Sequence, residues 1–137
     1  MEFPSMVYCT REDQPGREIK DWKTAKGQLS GLKVKGRSFI IFEKENGDYV
    51  QCAGSRKALT VEARMHAGDG SFRHVIFGCD EATGVEVEIP TSESVLRVDA
   101  SQVLNLKYAR GILQPWLEGY AFPIRYIQTD ITDRCPG

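Results

Sequence analysis

The sequence has 137 residues, a length typical of one domain with a single hydrophobic core. Hydrophobic residues make up 41% and charged residues 27%, which is the composition of a folded chain rather than a disordered one. The 18 Lys and Arg residues nearly balance the 19 Asp and Glu residues, so the formal net charge is -1. This balance argues against general nucleic-acid binding and against a polybasic membrane anchor, because both need an excess of positive charge.

No targeting segment is recognisable near the start of the sequence, where the acidic Glu2 precedes a stretch without the apolar core of a signal peptide. No run of residues approaches the roughly 20 apolar positions that a membrane-spanning helix needs. We therefore expect a cytoplasmic protein with no membrane association, folded as a single domain over residues 1–137.

The cysteines and histidines lack the spacing of a metal site. The four cysteines are widely scattered, and neither histidine lies near any of them in sequence: Cys9, Cys52, Cys79, Cys135, His66 and His74. Zinc sites normally show paired ligands at short spacing, and disulfide frameworks belong to oxidising compartments. We expect reduced thiols, no metal and no cofactor.

The first third of the chain predicts a loose start followed by a helix. Residues 1–16 are mixed and turn-like, so we expect a loosely ordered segment in which residues 6–8 can add an edge strand. Residues 17–32 show apolar side chains at helical spacing, namely Ile19, Trp22, Ala25 and Leu29. Gly31 is a plausible stop for this N-terminal helix.

The middle of the chain predicts a meander of short strands. Asn46-Gly47 separates the apolar runs 37–43 and 48–53, which is the strongest short-range hairpin signal. Residues 59–66 alternate between apolar and polar side chains, as in a strand with one buried face. Residues 72–77 are expected to form a fourth strand, and residues 85–89, which again alternate, a fifth strand that Pro90 ends.

The last third predicts a second helix and a final strand. Residues 95–98 can form a short strand, and Asp99 with Gln102 has the spacing of a helix capping box. We expect the helix to run from this cap to Gln114, where Pro115 ends or kinks it. With a last strand at 123–127, the predicted fold is α+β: an antiparallel meander of about five to six strands with an N-terminal and a C-terminal helix packed on it.

Candidates for catalysis are few. His66 with Cys79, or His74 with Cys52, are possible nucleophile pairs, but no motif marks an orienting group or an oxyanion site for either. A histidine on the polar face of a strand is the commoner situation. The sequence therefore predicts no catalytic residue.

The order of the predicted elements resembles a known family. The Trp22 helix is followed by the strand pair F-I-I-F-E-K-E-N-G-D-Y-V-Q-C-A-G, the strand L-T-V-E-A-R, the helix opening V-D-A-S-Q-V-L and the closing I-R-Y-I-Q-T-D-I-T. Over residues 21–132 this arrangement is similar to the small immunity proteins of bacterial polymorphic and contact-dependent toxin systems. In that family, the immunity protein stays in the cytoplasm of the producing cell and blocks a toxin domain that is delivered between competing bacteria through secretion systems.

The resemblance implies an inhibitor that acts by protein–protein interaction, not an enzyme. The near-neutral charge departs from the strongly acidic members that neutralise basic nucleases, which leaves deaminases, NAD-consuming enzymes and other toxins open. The first candidate surface is the polar face of strand 59–66 together with two later glutamates, and the second is the acidic loop 78–84. The predicted toxin-binding residues are Glu62, Arg64, His66, Asp80, Glu81, Glu86 and Glu88.

Two other classes of protein remain open on the sequence. One is a small cytoplasmic enzyme that uses Cys79, His66 or His74 in a cleft between sheet and helix. The other is an oligomeric adaptor that self-associates through an exposed strand edge.

Overall fold

The computed structural model describes residues 2–135, and this part of the chain forms an α+β fold with nine strands and two α-helices. In chain order these elements are β1 (Glu2–Arg11), β2 (Gln14–Asp21), α1 (Trp22–Leu29), β3 (Phe39–Lys44), β4 (Tyr49–Gly54), β5 (Leu59–His66), β6 (Phe72–Gly78), β7 (Glu86–Pro90), β8 (Val95–Asp99), α2 (Leu106–Leu117) and β9 (Ile127–Asp130).

Seven of these strands form one antiparallel sheet in the order β2-β1-β3-β4-β5-β6-β9. Strands β7 and β8 form a separate two-stranded hairpin. The fold class, the antiparallel pairing and the two helices agree with the sequence prediction. The expected five to six strands undercount the sheet, which has seven, and the separate hairpin was not foreseen.

The predicted Asn46-Gly47 turn joins β3 to β4. Gly47 has a φ of 93°, and the Asn46 side-chain oxygen accepts a hydrogen bond from the Asp48 N–H at 2.9 Å. Lys44 N–H donates to the Asp48 carbonyl at 2.8 Å and closes the hairpin. The predicted hairpin and the positive φ of Gly47 are therefore confirmed. Asn46 does not adopt a positive φ, and Gly47 N–H donates to the Lys44 carbonyl at 2.9 Å, so the turn is longer than the expected two-residue type.

One face of the sheet is covered by α1 and α2 and holds the main core. Asp21 caps α1 by accepting from Thr24 N–H, and Asn105 caps α2 by accepting from Tyr108 N–H. The largest fully buried side chains include Phe42, Phe77, Leu29, Ile40, Ile112, Leu113 and Leu117. Each contributes about 1.5–3 kcal/mol by leaving water, which makes this face the main source of stability.

The N-terminal expectation was wrong. Residues 2–11 and 14–21 are a long hairpin, and β1 lies inside the sheet between β2 and β3. The helix begins only at Trp22, because Ile19 belongs to β2, where it is buried opposite Val7. The apolar residues from Ile19 to Leu29 therefore have helical spacing in the sequence although the first of them lies in β2 and the others lie in α1.

The predicted second helix is divided into two elements. The capping box of Asp99 and Gln102 is present, but it caps a single 3-10 turn at residues 100–102. Leu104 then leaves the helical path to exchange two backbone hydrogen bonds with Leu59, at 2.9 and 2.8 Å. The α-helix starts anew after Asn105 and continues past Pro115 to Leu117.

The hairpin β7–β8 lies across the face of the sheet that the helices leave uncovered. Its apolar side chains Val87, Ile89, Leu96 and Val98 share one side, and Ile89 is fully buried beside Gly54. At its turn, Ser92 N–H donates to Ser38 Oγ at 3.1 Å and Ser92 Oγ accepts from Gly36 N–H at 2.8 Å. The predicted strand 85–89 is therefore not part of the meander, and the last strand of the sheet is 127–130 rather than 123–127.

Candidate functional site

The face of the sheet opposite the helices carries two cross-strand rows made mostly of polar and aromatic side chains. We call it the open face and define it by Tyr8, Thr10, Glu18, Ile41, Glu43, Tyr49, Gln51, Glu62, Arg64, His74, Ile76 and Thr129. The first row runs over six strands through directly paired residues, in the order Glu18, Tyr8, Glu43, Tyr49, Arg64 and His74. The second row runs through Thr10, Ile41, Gln51, Glu62, Ile76 and Thr129.

Exposure falls along the first row. Tyr8 is 44% exposed, Tyr49 and Arg64 are partly buried, and His74 is 4% exposed. The hairpin β7–β8 covers part of the open face, where Ile76 is buried, and leaves the Tyr8 end uncovered. The open face therefore combines an accessible aromatic end at Tyr8 with a buried end at His74 and Ile76.

His74 connects Glu62 and Arg64 through both of its ring nitrogens. Arg64 Nε lies 3.1 Å from His74 Nδ1, and His74 Nε2 lies 2.7 Å from Glu62 Oε1. An arginine nitrogen only donates, so Nδ1 accepts and Nε2 carries the hydrogen that is donated to the carboxylate. This arrangement fixes the imidazole tautomer and the positions of both charged neighbours.

Aromatic rings hold the Arg64 side chain from both sides. Its guanidinium carbon lies 3.9 Å from the centre of the Phe72 ring and 5.6 Å from the centre of the Tyr49 ring. Tyr49 also meets the His74 ring edge-on, with 6.1 Å between ring centres. Stacking of this kind favours a guanidinium and restrains its rotamers, so the fold itself holds Arg64 in position.

A cavity of about 480 Å³ lies between the hairpin and strands β5, β6 and β9. Glu62, Ile76 and Thr129 line it from the sheet, and Glu86, Leu96 and Val98 line it from the hairpin. A second cavity of about 320 Å³ lies on the other side of the hairpin, against Phe39 and Ala53. Leu96 lines both cavities and stands between them.

Asp99 anchors the base of the hairpin beside the larger cavity. Its carboxylate accepts hydrogen bonds from the backbone and hydroxyl groups of Thr83 and Ser101 and from Gly84 N–H. These donors, with the Ser101 hydroxyl first among them, hold the pKa of the Asp99 carboxyl far below its usual range. The charge of Asp99 is therefore already compensated within the fold.

The predicted binding residues do not form one cluster in space. Glu62 and Arg64 lie together on the open face, and the exposed Glu86 is among the residues that line the cavity beside Glu62. Glu88 instead forms an exposed ion pair with Arg97 at 3.2 Å. His66 sits at the end of β5 beside Asp48, and Asp80 and Glu81 are exposed in the loop after β6.

The two nucleophile pairs considered from the sequence do not meet. Cys52 is fully buried on the helix-covered face, whereas His74 points to the open face. His66 is opposite Phe72 at one end of β6, and Cys79 follows the other end of that strand. At about 3.3 Å per residue, the seven positions from Phe72 to Cys79 place this pair roughly 20 Å apart.

Sequence reasoning missed Tyr8, Tyr49 and His74 as parts of the site. Tyr8 lies in a segment that was expected to be loose, and its place depends on pairing between β1 and β3, over thirty positions apart. Tyr49 and His74 lie in strands that were predicted, but the weak alternation of the first of these strands assigned no face to Tyr49. What the sequence lacked was the strand order that joins these faces.

Comparison of this chain with known protein families, with curated proteins and with solved structures gives no significant match. Within residues 2–135, the helices are all too short or too polar to cross a membrane. In the same part of the chain, no three His, Cys, Asp or Glu side chains converge in a way that could hold a metal ion.

Proposed function

We propose that this protein is an immunity protein, which binds a cognate bacterial toxin domain through the open face and blocks the active site of that toxin. The sequence resemblance suggests the class of partner. The observation that carries the proposal is the first row of the open face, in which Tyr8, Tyr49 and Arg64 stand on adjacent or near-adjacent strands of a rigid sheet.

The residue types in this row suit a protein interface. Tyrosine and arginine are enriched among the residues that dominate binding energy, because they offer large contact areas and directed hydrogen bonds. Tyr8 is accessible, and Arg64 is held by His74 and Phe72, so little side-chain freedom is lost when a partner binds. Such preorganisation improves affinity by reducing the entropic cost of association.

The charges in the row favour a partner with mixed polarity. Glu18 and Glu43 flank Tyr8, and Arg64 lies two strands beyond Glu43. A face with both signs of charge is unlike the uniformly acidic surface that would neutralise a basic nuclease. This supports the expectation, drawn from the net charge, of a toxin other than a strongly basic nuclease.

The test begins with the open reading frame immediately upstream, whose C-terminal domain is co-expressed with this protein. If this protein neutralises that domain, the two proteins should purify as a stable complex, and co-expression should rescue the growth of the host cells. The double variant Tyr8→Ala with Glu43→Lys should then lower affinity by about 2 kcal/mol or more, because it removes an anchor and reverses a neighbouring charge.

The matched control is Lys107→Glu, which reverses an exposed charge on α2 on the opposite side of the sheet. If the open-face double variant and Lys107→Glu lose affinity equally, or if neither loses affinity, the interface lies elsewhere. If the protein self-associates and does not bind the product of the upstream open reading frame, the result would instead support the adaptor hypothesis.

A further inference from the structure

We propose that β2 pairs with β2 of a second copy of this chain, so that two sheets join edge to edge in a symmetric dimer. This inference goes beyond the proposed function and does not rest on it. Two separate observations carry it, namely the outward-facing backbone of β2 and the order of the charges along this strand.

Strand β2 lies at one end of the seven-stranded sheet. Among the described residues 2–135, β1 pairs with its inner side and no strand pairs with its outer side. It has eight residues, whereas β9 at the other end of the sheet has four. An edge strand of this length presents a row of backbone donors and acceptors that another strand can pair with.

The backbone of β2 turns Glu18 and Lys20 outward. Directly after β1, Glu12 N–H donates to a carbonyl of β3 at 3.2 Å, so even-numbered residues of β1 direct their backbone groups to β3 and odd-numbered residues to β2. The odd-numbered Val7 is paired with Ile19. The backbone groups of Ile19 therefore point to β1, and those of Glu18 and Lys20 point away from the sheet.

The charges of β2 are arranged antisymmetrically about Ile19. Arg17 and Glu18 come before it, in the order positive and negative, and Lys20 and Asp21 come after it in the same order. A two-fold axis at Ile19 therefore places each charge opposite one of the other sign. Within residues 2–135, none of these four side chains forms an ion pair in the monomer.

An antiparallel dimer centred on Ile19 satisfies the backbone groups and the charges together. Glu18 lies opposite Lys20 of the second copy, and the two residues exchange backbone hydrogen bonds because both face outward. Their side chains form an ion pair on the open face. On the helix-covered face, Arg17 lies opposite Asp21 of the second copy and forms another ion pair. The two-fold symmetry repeats each contact.

The same charges disfavour the neighbouring registers. Centring the dimer on Glu18 would place two glutamates opposite each other, and centring it on Lys20 would oppose two lysines. Like charges directly opposite each other destabilise a strand pair. Charged side chains on an edge strand commonly keep sheets apart. Here they oppose the registers on either side of Ile19 and favour the one centred on it.

The experiment measures self-association of the full chain by sedimentation equilibrium over about 1–500 µM protein. We expect a monomer–dimer equilibrium with a dissociation constant on the order of 10–100 µM, because a contact between two strand edges belongs to the small class of interfaces. A wild type that stays monomeric over the whole range would overturn the inference.

Charge reversals on β2 test the register. Glu18→Lys alone and Lys20→Glu alone each turn the opposite-charge pairs of the open face into like-charge pairs. Each should weaken the dimer about tenfold or more. The matched control Lys57→Glu reverses an exposed charge in the turn between β4 and β5 and should leave the dissociation constant unchanged.

The two single variants should associate with each other when they are mixed. One chain then carries only positive charges at positions 18 and 20, and the other carries only negative charges. The double variant Glu18→Lys with Lys20→Glu should also dimerise, because the signs are exchanged at both positions. Recovery in the mixture would show that both single variants are folded. Single variants that dimerise like the wild type, or a mixture that stays monomeric, would overturn the inference.

The two proposals fail separately. A protein that neutralises a toxin but is monomeric at all concentrations rejects the dimer and leaves the immunity function standing. A dimer that follows the charge reversals, in a protein that neutralises no neighbouring toxin, supports the pairing of β2 and rejects the immunity function.

Discussion

Alanine at position 54 will destabilise the protein by about 2–6 kcal/mol. Gly54 ends β4 with a φ of 124°, a conformation that residues with side chains rarely adopt and that costs about 1–3 kcal/mol. An added Cβ would also press against the Ala58 carbonyl oxygen and lie 2.8 Å from Ile89 Cγ2. Displacing packed neighbours adds about 1–3 kcal/mol.

That loss is large compared with the total stability of a typical domain, about 5–15 kcal/mol. Urea unfolding, followed by tryptophan fluorescence and far-ultraviolet circular dichroism, gives the free energy of unfolding for each variant. The effect should also reach the hairpin, because Ile89 cannot keep its present position beside the new methyl group.

Gly27→Ala is the matched control and should have the opposite sign. Gly27 lies in the interior of α1, and an added Cβ would meet nothing within 4 Å. Alanine is favoured over glycine there by roughly 0.5–1 kcal/mol. The account of the Gly54 site is refuted if the free energy of unfolding of Gly54→Ala lies within about 1 kcal/mol of the wild-type value. It is also refuted if Gly54→Ala and Gly27→Ala change that free energy in the same direction.

Two further predictions concern titratable groups. The lowered pKa of Asp99 supplies stability above the ordinary carboxyl pKa of about 3.9, and this stability is lost as the pH falls through the folded-state value. Asp99→Asn should therefore lower Tm at pH 7 and flatten the fall of Tm towards pH 3; parallel curves for the two proteins would contradict this. Burial raises the pKa of Cys9 to about 11 and also raises that of Cys52, so a thiol reagent should label the exposed Cys79 first and these two only on unfolding. Rapid labelling of all four thiols in the folded protein would disagree.

Local signals in the sequence predicted those features that depend on neighbouring residues. The Asn46-Gly47 turn, the alternation of β5 and the Asp99–Gln102 capping box are all present. Each is decided within a few residues by backbone preferences or side-chain hydrogen bonds. Glu62 and Arg64 were placed correctly on the polar face of β5 for the same reason.

Features that depend on distant pairing could not be predicted in the same way. Residues 85–89 alternate like any other strand of the meander, but the edge of β6 is paired with β9, about fifty positions further along the chain. The hairpin is consequently displaced onto the open face, where it forms the cavity. His74 could be assigned to a polar face, but its hydrogen bond to Glu62 depends on the register between β5 and β6.

The position of Leu96 has a consequence for how this fold can diversify. Its side chain stands between two cavities, while the residues that stabilise the fold lie on the other side of the sheet. A shorter residue at this position would join the two spaces into one channel from β3 to β9, and a larger residue would close one of them. The shape of the space beneath the hairpin can thus change through a single residue outside the main core, and for the proposed immunity function this would be a route to new partners that spares the fold.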